Sequence, residues 1–277
     1  MVKIHQIEEV NIENSTANKL SEIIHDLYKM AKDRPHQDKN GPLLGGMMKC
    51  IGFRTGMDKG KSAGVYARLP NLSNEAIDYD NYLWDKLDKH NEFISARFNL
   101  FSKLVTMKNN ELMKEFKLPN WSSPEWKNES NNQEFSLFSN CSITYNDFHN
   151  KPHCDHDFNP YTYGIFSYIH PETGNVREPK AKVDGYGFYF NQFDCMVDFG
   201  KANGILEIVW PSFSIEHQTT KPPIECKTTG DCTHFGSSFQ VNEKLANIAR
   251  RFQKNESQDF SSRILGRQER DEKKYSK

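Results

Sequence analysis

The sequence carries almost no net charge. Its 36 Lys and Arg residues balance 37 Asp and Glu, for a formal net charge of −1. No global field therefore draws it to nucleic acid, and any basic surface must be local. It also lacks a long apolar run. Nothing approaches the ~20 residues that cross a bilayer, and Glu8 and Glu9 stand where a secretory leader would be apolar. Six cysteines (Cys50, Cys141, Cys154, Cys195, Cys226 and Cys232) form no C-x-x-C pair. The spacing of Cys226 and Cys232 permits a bridge without specifying one. These absences lead us to expect an intracellular chain with reduced thiols and no membrane contact. The missing cysteine pairs and the lack of a fourth ligand exclude a structural zinc site. No nucleophile elbow marks a Ser or Cys hydrolase.

What is present suffices for one large domain or two small ones in 277 residues. Hydrophobic residues make up 36%, and 19 Phe and 11 Tyr must supply much of the core. A mean hydropathy of −0.79 describes a polar surface. Asn14 to Lys32 reads as an amphipathic helix through Leu20, Ile23, Ile24, Leu27 and Met30, with Ser15 or Thr16 as N-cap. Residues 33–46 read as loop. Two short strands, Met47–Arg54 and Ala63–Arg68, flank a Lys/Gly turn. Their Lys49, Arg54, Lys59, Lys61 and Arg68 form either a solvated hairpin or a basic edge for phosphates. Residues 74–117 read as helical, with Ile94, Phe98, Phe101, Leu104 and Val105 on the buried face and Arg97 beside it. Residues 119–134, punctuated by Pro119 and Pro124, read as a polar linker.

From residue 135 the period changes to two. Strands are expected over Phe135–Tyr145, Tyr161–Ile169, Tyr186–Phe190, Cys195–Phe199, Gly204–Trp210 and His234–Val241. Short strands at this spacing point to a sandwich or jelly roll. Asn242 caps a helix carrying Leu245, Ile248, Ala249 and Phe252. The tail beyond, with Arg263, Arg267, Arg270, Lys273 and Lys274, is expected to be mobile and to add non-specific phosphate affinity. The domain reading is a helical and hairpin layer over 1–134, a catalytic core over 135–253 and a charged tail over 254–277.

Within the core, His153-Cys154-Asp155 places an imidazole and a carboxylate on one face of an extended strand. Cys154 then points away and is expected to pack. His217 follows the strand-like Gly204–Trp210 run. Two imidazoles and a carboxylate form the facial triad of non-haem Fe(II) oxygenases, which leaves metal positions open. An isolated H-x-D is a weak signal; the surrounding strands and the downstream His strengthen it.

The segments Asp147–Phe158 and Pro160–Phe166, then Ile215–Pro223 and Thr233–Gln240, resemble the TET/JBP-type 2-oxoglutarate- and Fe(II)-dependent dioxygenases, closest to their compact branch abundant in fungi. The similarity runs from about residue 45 to 253. It implies an α+β fold, a double-stranded β-helix (jelly roll) with helices packed outside one sheet. It makes His153, Asp155 and His217 the iron ligands and 2-oxoglutarate the co-substrate. It also implies oxidation of methylated bases, foremost 5-methylcytosine in DNA, with N6-methyladenine or RNA as alternatives. A duplex base must be flipped out to reach such a site. Tyr145, Phe148, Phe158 or Tyr161 would then sandwich the base, and Asn146, Asp147 or His149 would bond its edge. A nuclear, monomeric protein is expected. One position departs from the family. Where an Arg usually holds the far carboxylate of 2-oxoglutarate, this chain has His234, for which Arg97, Lys227 or Arg54 would substitute. That departure keeps open a second reading, a catalytically silent relative that binds metal and a nucleic-acid or protein partner.

Overall fold

The period-two stretches pair into two sheets that face each other. The structure, a computed structural model, describes residues 1–37, 43–56, 59–126, 135–180, 183–223, 231–254 and 261–267. In chain order the elements are β1 (Val2–Gln6), α1 (Thr16–Lys32), β2 (Leu43–Thr55), β3 (Ala63–Val65), α2 (Asn74–Phe101), α3 (Lys103–Glu115), β4 (Asn140–Asn150), β5 (Thr162–Ile169), β6 (Gly187–Phe190), β7 (Cys195–Asp198), α4 (Phe199–Ala202), β8 (Gly204–Trp210), β9 (His217–Thr219), β10 (Thr233–Gln240), α5 (Glu243–Lys254) and β11 (Ile264–Leu265). The large sheet has the order β1-β8-β5-β10-β4-β2-β3-β11, and the small one β7-β6-β9. All pairings are antiparallel except β11 with β3.

Alternation along the strands separates two cores. Ile143, Tyr163, Ile165, Ile205, Val209, Phe235 and Phe239 meet Leu20, Ile24, Leu27, Leu87, Ile94 and Phe98 of α1 and α2 on the outer face. Phe166, Tyr168, Leu206, Ile208 and Trp210 point the other way, toward Phe188 of β6 and Phe199 of α4. Helices outside one sheet and a second sheet inside make the expected α+β double-stranded β-helix.

The helix starts follow capping chemistry. The Ser15 side chain accepts the Asn18 N–H at the start of α1, and Asn242 accepts from Lys244 and Leu245 at the start of α5. The expected helix over 74–117 is two helices. Ser102, with φ −166°, ends α2 and caps α3 by accepting the Val105 N–H. The break shifts the helical phase, which leaves Leu104 56% exposed rather than buried.

Several expectations are corrected. Lys49, Arg54 and Arg68 are buried, so they form no basic edge for phosphates. Lys49 donates to the Arg34 carbonyl and Arg68 pairs with Asp80, both inside the fold. The segment read as a polar linker has Trp121 fully buried against Phe239, with its indole N–H donating to Asn91; residues 127–134 lie outside the described residues. Ile264 and Leu265, placed in a mobile tail, are buried as β11, while 268–277 lie outside the described residues. The strand β1 was not anticipated at all. Val2 and Ile4 are half exposed on this sheet edge, so the stretch shows no buried face in its sequence. The first 134 residues thus contribute three strands to the sheet as well as helices. Cys226 also lies outside the described residues.

Candidate metal centre

The triad is assembled by two short stretches of backbone. His153 and His217 exchange hydrogen bonds, His153 N–H to the His217 carbonyl at 3.1 Å and His217 N–H to the His153 carbonyl at 2.9 Å. This isolated bridge, rather than the continuous strand expected from the sequence, brings the two imidazoles together with ring centroids 4.7 Å apart. The Asp155 N–H donates to the Ser212 carbonyl at 2.9 Å, which docks the third side chain beside the end of β8. Asp157 anchors the segment from below. It is buried, and its Oδ2 accepts from Ser212 at 3.0 Å and Thr162 at 3.4 Å. Burial first, then the neighbouring Asp155 charge, push the Asp157 carboxyl well above the ordinary range. No feature of the sequence distinguished Asp157, Ser212 or Thr162, because their role depends on a contact between distant segments.

The ligand atoms converge. Asp155 Oδ1 lies 3.3 Å from His153 Nε2, and Oδ2 lies 3.4 Å from His217 Nε2. All three ligand atoms fall within 4.8 Å of one another. His153 Nδ1 donates to the Lys151 carbonyl and His217 Nδ1 to the Ile215 carbonyl, each at 2.9 Å. A carbonyl only accepts, so in the neutral ring the proton sits on Nδ1 and Nε2 offers its lone pair to the centre. Burial raises the Asp155 carboxyl, but hydrogen bonds and charge from His153 and His217 outweigh it, and the group is held well below the usual range. Burial lowers His153, and the Asp155 carboxylate more than reverses this, for a net rise. Three hard or borderline donors, one of them anionic, on one side of an open centre suit Fe(II). The His217 side chain is 5% exposed against 20% for His153 and 24% for Asp155, so the centre opens on the His153–Asp155 side.

A second His and carboxylate group, Glu22, Asp26 and His90, differs in kind. The Lys86 ammonium lies 2.7 Å from Glu22 and 2.5 Å from Asp26, and supplies the cation that those carboxylates need.

The remaining candidates scatter. Arg97 and Glu207 form a two-armed pair, Nε to Oε1 at 3.0 Å and Nη2 to Oε2 at 2.5 Å. Glu207 shares its face of β8 with Ile205 and Val209, so Arg97 lies on the helix side of the sheet and does not reach the triad. Arg54 is buried in the β2–β3 hairpin, with Nε on the Val65 carbonyl and Nη1 on the Thr55 carbonyl. Lys227 lies outside the described residues. His234 is on the inner face of β10, among rings of the second core. Tyr145 packs edge-on against Tyr28, Phe158 against Phe116, and Tyr161 against the outer core. All three thus have packing partners within the fold. Phe148 is buried. Cys154 is exposed rather than packed.

Asn146 and Asp147 form a bulge in β4, with φ of 56° and 57°. Opposite them the β2 register slips around Gly45 and Gly46. Gly46 has φ of 78°, and a Cβ there would lie 2.3 Å from Phe148 Cα, so the bulge requires glycine. It turns the end of β4 toward the small sheet, where the Asn150 side chain accepts the Thr219 N–H at 2.7 Å. Asn146 is exposed, while Asp147 and His149 are partly buried, with His149 Nδ1 donating to the Asp147 carbonyl.

No helix among the described residues is long and apolar enough to cross a membrane. No curated protein matches this chain. Among solved structures, a prolyl-4-hydroxylase of Pseudomonas putida is similar at 13% identity over 87% of this chain and 91% of that one, with a TM-score of 0.38. OsALKBH1 is similar at 13% identity over 79% and 91%, with a TM-score of 0.34. Likenesses this low carry no weight for function. A family model described as the Tet-like 2OG-Fe(II) oxygenase superfamily matches residues 11–222, most of the chain. The chain belongs to that superfamily and is a dioxygenase that uses Fe(II) and 2-oxoglutarate.

Proposed function

We propose that this dioxygenase oxidises the methyl group of a modified base in nucleic acid, 5-methylcytosine in DNA before others, on a base flipped out of the duplex. His153, Asp155 and His217 hold the iron in this reading. With 2-oxoglutarate and O2 the iron supplies the oxidising chemistry, and the protein positions the methyl group and limits water.

The observation that carries the proposal is the rim of the triad. Phe213, next to the Ser212 that holds Asp155, is 51% exposed. Phe193 is 64% exposed just beyond Phe190, which pairs directly with His217. Large aromatic rings left in solvent on the segments adjoining those that hold the triad suit stacking on an extruded base. Lys151, exposed two residues before His153, suits a phosphate contact. Asn146 and Asp147, presented by the β4 bulge, are the proposed readers of the base edge, with His149 behind them. A nuclear, monomeric protein is part of the same proposal.

The test is to load the protein with iron anaerobically, add 2-oxoglutarate and methylated DNA, admit air, and follow succinate and oxidised bases by mass spectrometry. Succinate with 5-hydroxymethylcytosine supports the proposal. Succinate without any oxidised DNA base refutes it for DNA and directs the same assay to N6-methyladenine and RNA.

A further inference from the structure

Four side chains next to the triad form one buried chain of hydrogen bonds. Asn159, Thr162 and Ser212 are fully buried, and Asp157 is 9% exposed. Asn159 Nδ2 donates to Thr162 Oγ1 at 3.3 Å, Thr162 and Ser212 share a contact of 2.7 Å, and Ser212 donates to Asp157 Oδ2 at 3.0 Å. The Ser212 proton is committed to Asp157, so Thr162 donates at the 2.7 Å contact. Each hydroxyl then accepts one bond and gives one. The far end is fixed as well, since Asn159 Oδ1 accepts the Val241 N–H at 2.6 Å, just beyond β10.

The turn that carries Ser212 touches two of the three ligands. The Pro211 carbonyl accepts the Ser214 and Ile215 N–H groups at 3.2 and 3.0 Å, which closes a turn over 211–215. Within it the Ser212 carbonyl takes the Asp155 N–H and the Ile215 carbonyl takes His217 Nδ1. His153 and His217 also hold each other through their backbone bridge, but Asp155 lies beyond that bridge. Its carboxylate leans on the Nε2 atoms of both histidines, at 3.3 and 3.4 Å. Those contacts need a proton on Nε2, and a metal displaces that proton. The Ser212 carbonyl holds Asp155 without using any ligand atom.

We infer that Ser212 is a positioning residue of the metal centre: its hydroxyl, pinned between Thr162 and Asp157, fixes the turn whose carbonyls aim Asp155 and His217. The inference rests on the proposed role of the triad as the iron site. Groups behind the ligands orient them before metal arrives, and losing one typically costs about 10–100-fold in affinity. Ser212→Ala removes the pin and keeps both backbone carbonyls. The ligand set stays whole, and what changes is how firmly the turn presents it.

The test reads metal binding rather than turnover. Anaerobic protein is titrated with Fe(II) by calorimetry, and Co(II)-substituted protein gives a visible spectrum that reports ligand geometry. Ser167→Ala is the control. Ser167 is also buried, its hydroxyl donates to the Gly204 carbonyl at 3.0 Å, and it shares the helix side of β5 with Ile165 and Ile169. Ser212→Ala is expected to weaken Fe(II) binding by about 10–100-fold and to shift the Co(II) bands, while Ser167→Ala changes neither. Thr162→Val removes the donor to Ser212 at nearly constant shape. It is expected to act in the same direction, and it stands in for Ser212→Ala should that variant not fold. Unchanged Fe(II) affinity or an unchanged Co(II) spectrum in the folded variant overturns the inference. An equal loss in Ser167→Ala also overturns it, since that marks a general loosening of the fold. Failure of the unaltered protein to bind either metal overturns the triad reading and this inference together. Tight binding there, with the variant unchanged, overturns this inference alone.

Discussion

Arg97→Met separates a structural arginine from a co-substrate ligand. Glu207 is fully buried, and its carboxylate is held by Arg97 through two contacts, by the Tyr163 hydroxyl at 2.5 Å and by His5 Nε2 at 2.6 Å. Removing one partner of a buried pair costs about 3–5 kcal/mol, because it leaves an uncompensated charge. Tyr163 and His5 still solvate the carboxylate, which places the cost near the lower end, at about 3 kcal/mol. For a chain of this size each kcal/mol shifts Tm by about 2–4 °C, so a fall of roughly 6–12 °C is expected. Adding Glu207→Gln removes the stranded charge while keeping an acceptor for Tyr163, and should recover at least half of the loss. Urea unfolding followed by circular dichroism gives the stability, and calorimetry on the iron-loaded protein gives the 2-oxoglutarate Kd. Stability unchanged within about 0.5 kcal/mol together with a tenfold weaker 2-oxoglutarate Kd would refute the reasoning, since it would place Arg97 at the co-substrate.

Three further outcomes follow from the geometry. His153→Ala, Asp155→Ala or His217→Ala should each lose stoichiometric iron, measured by elemental analysis, with an unchanged far-ultraviolet spectrum; full iron retention would remove that residue from the triad. Because His153 titrates above its ordinary 6.5 in the metal-free protein, protons compete with iron across the neutral range, and iron affinity should fall on going from pH 8 to pH 6 with proton uptake on release. Burial raises the Glu207 carboxyl, but hydrogen bonds from His5, Arg97 and Tyr163 bring it down to about 2 from 4.5. A depressed carboxyl stabilises the fold fully above its unfolded value, so about 3 kcal/mol should be present above pH 4.5 and lost as pH falls toward 2, with Glu207→Gln flattening that slope.

The glycine at the β4 bulge offers a separate check. Gly46→Ala brings a Cβ to 2.3 Å from the Phe148 backbone at a φ of 78°, and should cost about 1–3 kcal/mol in urea unfolding. An alanine variant as stable as the parent would show that the bulge relaxes freely.

Local chemistry was legible in the sequence wherever one stretch of chain decides the outcome. Ser15 and Asn242 as caps, the helix ending at Lys32, the Gly204–Trp210 strand, and His153, Asp155 and His217 as converging groups all follow from capping, alternation and donor type. Tertiary structure decided which side of the sheet each group occupies. Arg97 was a candidate to substitute for His234 at the co-substrate, yet the two lie on opposite faces of the large sheet, because a strand sends alternate side chains to opposite sides and the helices cover only one of them. The same physics buried Trp121 in a stretch that reads as linker, docked Ile264 and Leu265 from a charged tail, and packed Tyr145 on Tyr28 and Phe158 on Phe116, since each of those fates is set by a partner far along the chain. Sequence thus showed most of the elements and the three donors that converge, and only the packing of distant segments determined which side chains surround them.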